Sequence, residues 1–166
     1  ELPGLGGGGK GVRQEWARLL PDFLRPLGYR SYHSGKWHLD GMPLENGFDH
    51  SYRIDDQDRH FSPKVLWLED KKLPPVEPGT KFYSTIAIAD HAIEWLKDHS
   101  EKFPNQPFFE YLAFTVPHFP IQALPEDIAK YRDTYRDGWD AIRKQRWERM
   151  VKMKILDAKL SPLEPE

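Results

Sequence analysis

The chain has 166 residues, of which 39% are hydrophobic and 30% are charged, a composition typical of an ordinary folded domain with a real core. Its formal net charge of −2 at pH 7 gives no global field to attract nucleic acid or an anionic membrane. Cysteine is absent, which excludes disulfides, zinc–thiolate sites and a cysteine nucleophile within these residues. No apolar run approaches the roughly 20 residues of a membrane span, and the N-terminus lacks the basic-then-apolar order of a signal peptide.

The first stretch of the chain is rich in glycine. Residues 1–11 include the run Gly6–Gly9, and the few apolar residues there cannot offset the entropy lost on ordering it. A phosphate-binding P-loop is a weaker interpretation, because Lys10 is followed by Gly rather than by Ser or Thr. We predict a flexible lead-in over residues 1–11, one domain over 12–157 and a linker over 158–166.

A helix and a strand are predicted next. Pro21 marks the first turn of a fresh helix, Gly28 marks its end, and a strand is expected near residues 29–34. The apolar positions at helical spacing are Val12, Trp16, Leu19, Leu20, Phe23, Leu24 and Leu27.

The middle of the chain combines a long loop with a helix. Residues 40–82 are rich in Pro, Asp and Gly and contain one short apolar run, Val65–Leu68, which favours a functional loop carrying a small hairpin. Ser84 is predicted to cap the helix that follows. Its expected apolar stripe comprises Ile86, Ala89, Ile93 and Leu96.

The run Phe108–Phe114 is aromatic and nearly continuous, a pattern typical of a central strand covered on both faces. Helix followed by strand, seen twice, predicts an α/β fold with a mostly parallel sheet flanked by helices. Pro117 and Pro120 then bracket His118 in a rigid turn. Pro125 opens a short helix after it.

A last amphipathic helix is predicted after Asp137, which is placed to cap it. A membrane-binding or calmodulin-binding helix would show the same pattern, but a helix that faces a core is its commoner cause. The stripe comprises Trp139, Ile142, Arg146, Trp147, Met150 and Val151.

Three basic side chains follow the two predicted strands. Lys36 and His38 lie two residues apart, so extended backbone points both to one side while Trp37 packs behind them. His118 follows the second strand. Because ligands bind beyond the carboxyl ends of strands in open α/β sheets, these side chains are expected to meet. One ammonium and two imidazoles suit the binding of a sulfate or phosphate ester and protonation of its leaving oxygen.

The stretch Gly28–His38, GYRSYHSGKWH, resembles the second signature of the sulfatases, the formylglycine-dependent sulfuric ester hydrolases of the alkaline phosphatase superfamily. Pro43–Asp49 resembles the P-x-x-x-G-F-D turn that follows in the family, and Pro107–Pro120 is similar to the family strand that ends in a catalytic His. The likeness implies an alkaline-phosphatase-like sheet that is incomplete at both ends. Residues 12–157 would then form a partial sulfatase catalytic domain.

The resemblance also implies a role for each of the three basic residues. In sulfatases a formylglycine hydrate attacks sulfur while a divalent cation, usually Ca²⁺, holds the sulfate. Lys36 would contact both the sulfate and the hydrated aldehyde, and His38 would orient or deprotonate the formylglycine hydroxyl. His118 would bind the sulfate oxygen toward the leaving group. The histidines that match no family role are expected to be surface or packing residues: His33, His50, His60, His91 and His99.

Several family features have no counterpart in this sequence. The C/S-x-P-x-R string of the nucleophile is absent, as are the aspartate pairs that hold the metal. Asp55, Asp56 and Asp58 form an acidic cluster, but they stand outside the family's ligand positions and lack the Gly and Glu of an EF-hand. We therefore expect an interior piece of a sulfatase that is inactive alone. The nucleophile, the Ca²⁺ ligands and a second catalytic Lys would lie in N- and C-terminal portions of the same domain, and the family suggests a periplasmic or secreted location.

Two other functions fit the same residues. A phosphate or phosphonate ester hydrolase of the same superfamily would share the Lys and His arrangement. A non-catalytic domain would bind an anionic glycan through Lys36, His38 and His118, with Trp37 and Phe119 nearby. The substrate stays open among aryl esters, steroids and sulfated sugars, and neither nucleic acid nor a membrane span is expected.

Overall fold

The computed structural model describes residues 16–164, and these residues form two units. The first ends at Gln122 and the second begins at Ala123. The predicted lead-in over residues 1–11 lies outside the described residues, as do the last two residues of the predicted linker. The predicted domain limits stay a prediction.

The first unit contains a short helix, five strands and one long helix. The strands form one sheet in the order β4-β3-β2-β1-β5, in which β1 pairs in parallel with both β2 and β5 and the β3–β4 hairpin adds antiparallel strands. The α/β fold with helices flanking a sheet is confirmed, and the sheet is mixed. The bounds are α1 Leu20–Leu24, β1 Arg30–Gly35, β2 His50–Ile54, β3 Leu66–Leu68, β4 Lys71–Leu73, α2 Ser84–Lys102 and β5 Phe108–Ala113.

The first helix is shorter than its apolar spacing predicts. Pro21 occupies its first turn and Gly28 follows it with a left-handed φ of 83°, as expected, after a short 3₁₀ turn at Arg25–Leu27. Residues 16–19 are not helical. Pro21 has no backbone N–H to donate, and it is tolerated in the first turn because that donor would have no partner within the helix, so the helix starts at Leu20.

Helix α2 packs on the sheet through a different face from the predicted one. Ile86 and Ile93 are each 48% exposed. The prediction was wrong for Ile86 and Ile93, whereas Leu96 does pack against the core. The buried face is centred elsewhere because the sheet beneath presents rings that stack on the helix, such as Tyr32 on Trp95. The helical residues that are buried are Ser84, Ile88, Ala92, Trp95 and His99, and the sheet contributes Tyr32, Tyr52, Ile54 and Leu66 to the core.

The N-terminus of α2 also differs from expectation. Tyr83 occupies the cap position without a side-chain cap, and Ser84 is the first helical residue. The Ser84 hydroxyl is instead 3.4 Å from His60 Nδ1 and 3.4 Å from Thr115 Oγ1. The cap prediction failed because tertiary partners engage this hydroxyl.

Strand β1 is almost entirely buried although its sequence is polar. Its buried side chains Tyr32, His33 and Ser34 have hydrogen-bond partners, as burial requires. The Ser34 hydroxyl donates to the carbonyl of Ile88 at 2.7 Å, and the Ser31 amide donates to the carboxylate of Asp49 at 2.8 Å. These bonds connect the strand to α2 on one side and to the turn before β2 on the other.

Strand β5 lies at the edge of the sheet, not at its centre. Tyr111 and Leu112 are 44% and 40% exposed. The central-strand prediction is wrong for residues 16–164, because within them only β1 pairs with β5 and the second edge stays open. Glu110 is partly buried there without a hydrogen-bond partner among the described residues, and burial raises the pKa of its carboxyl to about 7.

The second unit contains α3 Pro125–Tyr131 and α4 Trp139–Lys152, which confirms both predicted helices. The cap position of α4 is Gly138, with a left-handed φ of 86°, so Asp137 is not the cap. Trp139 is 77% exposed and no residue of α4 is fully buried within the described part of the chain. Across the described residues, no helix is both long and apolar enough to cross a membrane.

Candidate active site

The candidate site begins where β1 ends. Gly35 has a φ of 124°, and a Cβ at this position would lie 2.0 Å from the carbonyl oxygen of Ala113. Only glycine allows β1 and β5 to approach so closely. The next residue, Lys36, uses this approach, because its amide donates to the same Ala113 carbonyl at 2.8 Å.

The side chain of Lys36 reaches the end of a third strand. It is partly buried, and its Nζ donates to the carbonyl of Asp55, the residue after β2, at 2.9 Å. Since β1, β2 and β5 are parallel, their carboxyl ends lie at the same end of the sheet. Open α/β sheets bind ligands beyond this end.

Asp55 is held by its own ion pair. Its carboxylate lies 3.1 Å from the guanidinium of Arg53, which is buried and stacks over the ring of Trp67 at 5.0 Å. Asp56, beside it, accepts the amide of Lys64 at 2.6 Å. These acidic residues therefore have protein partners, and residues 16–164 contain no group of three potential ligands that could hold a metal ion.

His118 lies in a turn after β5, as predicted. Its amide donates to the carbonyl of Thr115 at 3.1 Å, and its ring Nδ1 lies 2.6 Å from the carbonyl of Phe119. Because a carbonyl can only accept, Nδ1 carries the proton and Nε2 is left for a ligand. The side chain is exposed.

The structure modifies the prediction for the Lys36–His38 segment. Trp37 is buried as expected, with Nε1 donating to the carbonyl of Gly41 at 3.1 Å, and His38 is exposed. However, β1 ends at Gly35, whose positive φ takes the chain out of the strand, so the alternation argument for a common direction does not apply. The meeting of Lys36, His38 and His118 around one anion stays a prediction.

Two buried histidines that had no predicted role contact the backbone carbonyls of two candidate site residues. His33 is fully buried, with Nε2 3.3 Å from the carbonyl of Lys36 and Nδ1 2.9 Å from the hydroxyl of Ser51. Burial is the main reason that its pKa falls to about 4. The ring is therefore neutral at pH 7, with the proton on Nε2.

His60 is the second of these residues. It is fully buried in the loop after β2, and its Nε2 lies 3.3 Å from the carbonyl of His118. Its Nδ1 lies 3.2 Å from the hydroxyl of Thr115, and its own carbonyl accepts the amide of Ser84 at 2.8 Å. The sequence carried no signal for this network, because His60 is separated by 24 residues or more from each side chain or carbonyl that its ring contacts.

Comparisons with known proteins point to one family. Residues 6–161 match the model of the family described as Sulfatase. The chain is 31% identical to an uncharacterised sulfatase of Schizosaccharomyces pombe over 93% of its own length and 31% of that protein. It is 30% identical to an arylsulfatase of Klebsiella aerogenes over 82% of its length and 32% of that enzyme.

A solved structure described as a complex with its substrate, D-glucosamine-2-N,6-O-disulfate, superposes with a TM-score of 0.55 at 30% identity. The match covers 69% of this chain and 22% of that one. The chain thus spans about a third or less of the length of these relatives.

Proposed function

Because this chain belongs to the sulfatase family, we propose that it is part of a catalytic domain that hydrolyses sulfate esters, with Lys36, His38 and His118 binding and activating the ester. One observation carries the proposal. The Lys36 amide donates a hydrogen bond to Ala113, the last residue of β5, so the segments that bear Lys36 and His118 leave the sheet at the same end, where the parallel strands finish.

Lys36 would supply fixed positive charge to the sulfate. Its ammonium donates to the carbonyl oxygen of Asp55 at 2.9 Å, which holds it at the carboxyl end of β2. A charge held in place before the reaction stabilises the negative oxygens that develop in the transition state without reorganisation. His38, two residues on and exposed, would act on the attacking group, the role that the family resemblance gives it.

His118 would act on the leaving group. With Nδ1–H bonded to the Phe119 carbonyl, a protonated ring presents its second proton at Nε2. That proton would pass to the ester oxygen as the sulfur–oxygen bond breaks. A general acid of this kind contributes about 100–10,000-fold in rate.

The Ca²⁺ ion and the formylglycine implied by the family do not fit the described residues. No cysteine and no C/S-x-P-x-R string occurs in the chain, and Asp55 is paired with Arg53. We propose that both groups belong to sequence other than these 166 residues, which act together with the remainder of the same domain. No step assigned to Lys36 or His118 passes through either group.

The proposed substrate is a sulfate ester of a small molecule or a glycan. Support for a sulfated sugar comes from the solved relative described as bound to its substrate, D-glucosamine-2-N,6-O-disulfate. A periplasmic or secreted location remains part of this proposal.

The test uses the protein encoded by the complete gene, assayed with 4-nitrophenyl sulfate. Lys36→Ala and His118→Ala should each lower kcat by about 100-fold or more. Lys72→Ala, which removes an exposed lysine of the β4 edge, is the matched control and should keep full activity. Equal activity in all four proteins would contradict the assigned roles.

The alternatives give different outcomes in the same assay. Faster turnover of a 4-nitrophenyl phosphate diester than of the sulfate would identify a phosphate or phosphonate ester hydrolase. Binding of a sulfated oligosaccharide without turnover of either ester would identify a non-catalytic glycan-binding domain.

A further inference from the structure

We propose that His33 and His60 are positioning residues that fix the backbone of the two site segments. This inference rests on the proposed function, since it takes Lys36 and His118 as site residues. Each imidazole is fully buried, and each has its Nε2 within 3.3 Å of the carbonyl oxygen of one site residue, Lys36 for His33 and His118 for His60.

The second nitrogen of each ring is held by a buried hydroxyl. The hydroxyl of Ser51 hydrogen-bonds to Nδ1 of His33. The hydroxyl of Thr115 does the same for Nδ1 of His60, and the Ser84 hydroxyl lies nearby. A carbonyl only accepts, so Nε2 must be the donor in both rings. The hydroxyl on the other side then fixes the plane of each ring, which sets where the carbonyl of the site residue can lie.

Aromatic packing restrains His33 further. Its ring makes edge contacts with Trp37 and Phe48 at centroid distances of 5.3 and 5.7 Å, and Tyr111 of β5 lies 5.7 Å away. The position of the Lys36 backbone is thus set by β1, by β5 and by the turn before β2 together.

His60 restrains the other segment by connecting three elements. Its backbone amide lies 3.3 Å from Gln122 Oε1, its carbonyl binds the first residue of α2, and its ring binds the turn at His118. The loop after β2 therefore anchors both ends of the segment from Thr115 to Gln122. Without this anchor, the ring of His118 loses its fixed distance from the reacting oxygen.

His99 of α2 provides a matched control in the same unit. It is 5% exposed, its Nδ1 lies 2.8 Å from the hydroxyl of Tyr32, and its Nε2 lies 2.9 Å from the carbonyl of Gln106. This is the same bonding pattern, but Gln106 precedes β5 and lies at the opposite end of the sheet from the candidate site.

The experiment compares His33→Leu, His60→Leu and His99→Leu in the protein encoded by the complete gene. All three should lower the urea midpoint, because each loses two buried hydrogen bonds. Only the first two should lower kcat for 4-nitrophenyl sulfate, by about 10–100-fold per folded molecule. His33→Gln and His60→Gln, which keep an N–H donor near the Nε2 position, should recover much of that loss.

A second measurement on the 166-residue chain keeps this test separate from the proposed function. Backbone amide shifts of residues 36–38 should change in His33→Leu, and those of His118 and Phe119 should change in His60→Leu, whereas His99→Leu should leave both segments unchanged. If the complete wild-type protein hydrolyses no ester, the proposed function fails and these shifts alone decide the positioning role. An equal loss of kcat in His99→Leu, or unchanged shifts in the first two variants, would overturn it.

Discussion

Replacing Gly35 by alanine tests the close approach of β1 and β5 on which the candidate site depends. The new Cβ would lie 2.0 Å from the carbonyl oxygen of Ala113 and 2.6 Å from its carbonyl carbon, both of them backbone atoms that cannot rotate away. The two strands must therefore separate, and the hydrogen bond from the Lys36 amide to Ala113 is lost. That bond contributes about 0.5–1.5 kcal/mol, and alanine at a φ of 124° adds strain of about 1–3 kcal/mol.

We expect Gly35→Ala to lower the free energy of unfolding of the chain by about 2–4 kcal/mol, measured by urea titration at pH 7. Gly28→Ala is the matched control, because Gly28 also has a left-handed φ but has nothing within 4 Å of a Cβ. It should lose only about 1–2 kcal/mol, the effect of backbone conformation alone. Equal losses in the two variants would refute the argument that contact with Ala113 makes glycine necessary at residue 35.

Three further predictions concern the pH dependence of stability and the activity of the 166-residue chain. The unfolded pKa of His33 is near 6.5, and burial lowers the folded pKa to about 4, so the unfolded state takes up the proton first as pH falls. About 3 kcal/mol of folding stability should therefore be lost between pH 6.5 and pH 4. Urea titrations should show this loss in the wild type and not in His33→Gln. The pH dependence of stability that Glu110 causes has the opposite sign, because its folded pKa of about 7 lies above the model-peptide value of 4.5 and stability is lost as pH rises between these two values. Glu110→Gln should therefore raise the urea midpoint at pH 8 but not at pH 4. An equal rise at both pH values would exclude the ionised carboxylate as the cause. The purified 166-residue chain should show no turnover of 4-nitrophenyl sulfate, and turnover that Lys36→Ala abolishes would contradict that expectation.

The strands and helices with strong local signals were predictable. Gly28 ended the first helical segment, β1 was placed within one residue of its observed bounds, and Pro125 began α3. The hairpin expected near Val65–Leu68 corresponds to β3 and β4. In these segments the turn residues and the periodicity agree with the tertiary structure.

Strand β2 was missed because its sequence, HSYRI, is short and contains only two alternating apolar residues, Tyr52 and Ile54, among polar ones. The burial of its polar residues depends on partners outside the strand, namely Asp55 just after it for Arg53 and His33 of β1 for Ser51. The roles of His33 and His60 were hidden for the same reason. The sequence does not indicate which carbonyl a histidine ring will contact. Glycine at residue 35, in contrast, is consistent with the close approach of this backbone to Ala113.

Among residues 16–164, β5 has one edge without a strand partner, and this edge has a consequence for the polypeptide at high concentration. A strand with exposed aromatic and aliphatic side chains and unpaired amides is a template onto which a strand of another molecule can add. The carboxylate of Glu110 opposes such pairing while it is ionised, since two copies would bring like charges together. Below pH 7, where that carboxyl becomes neutral, the chain loses this protection and aggregation through β5 is favoured.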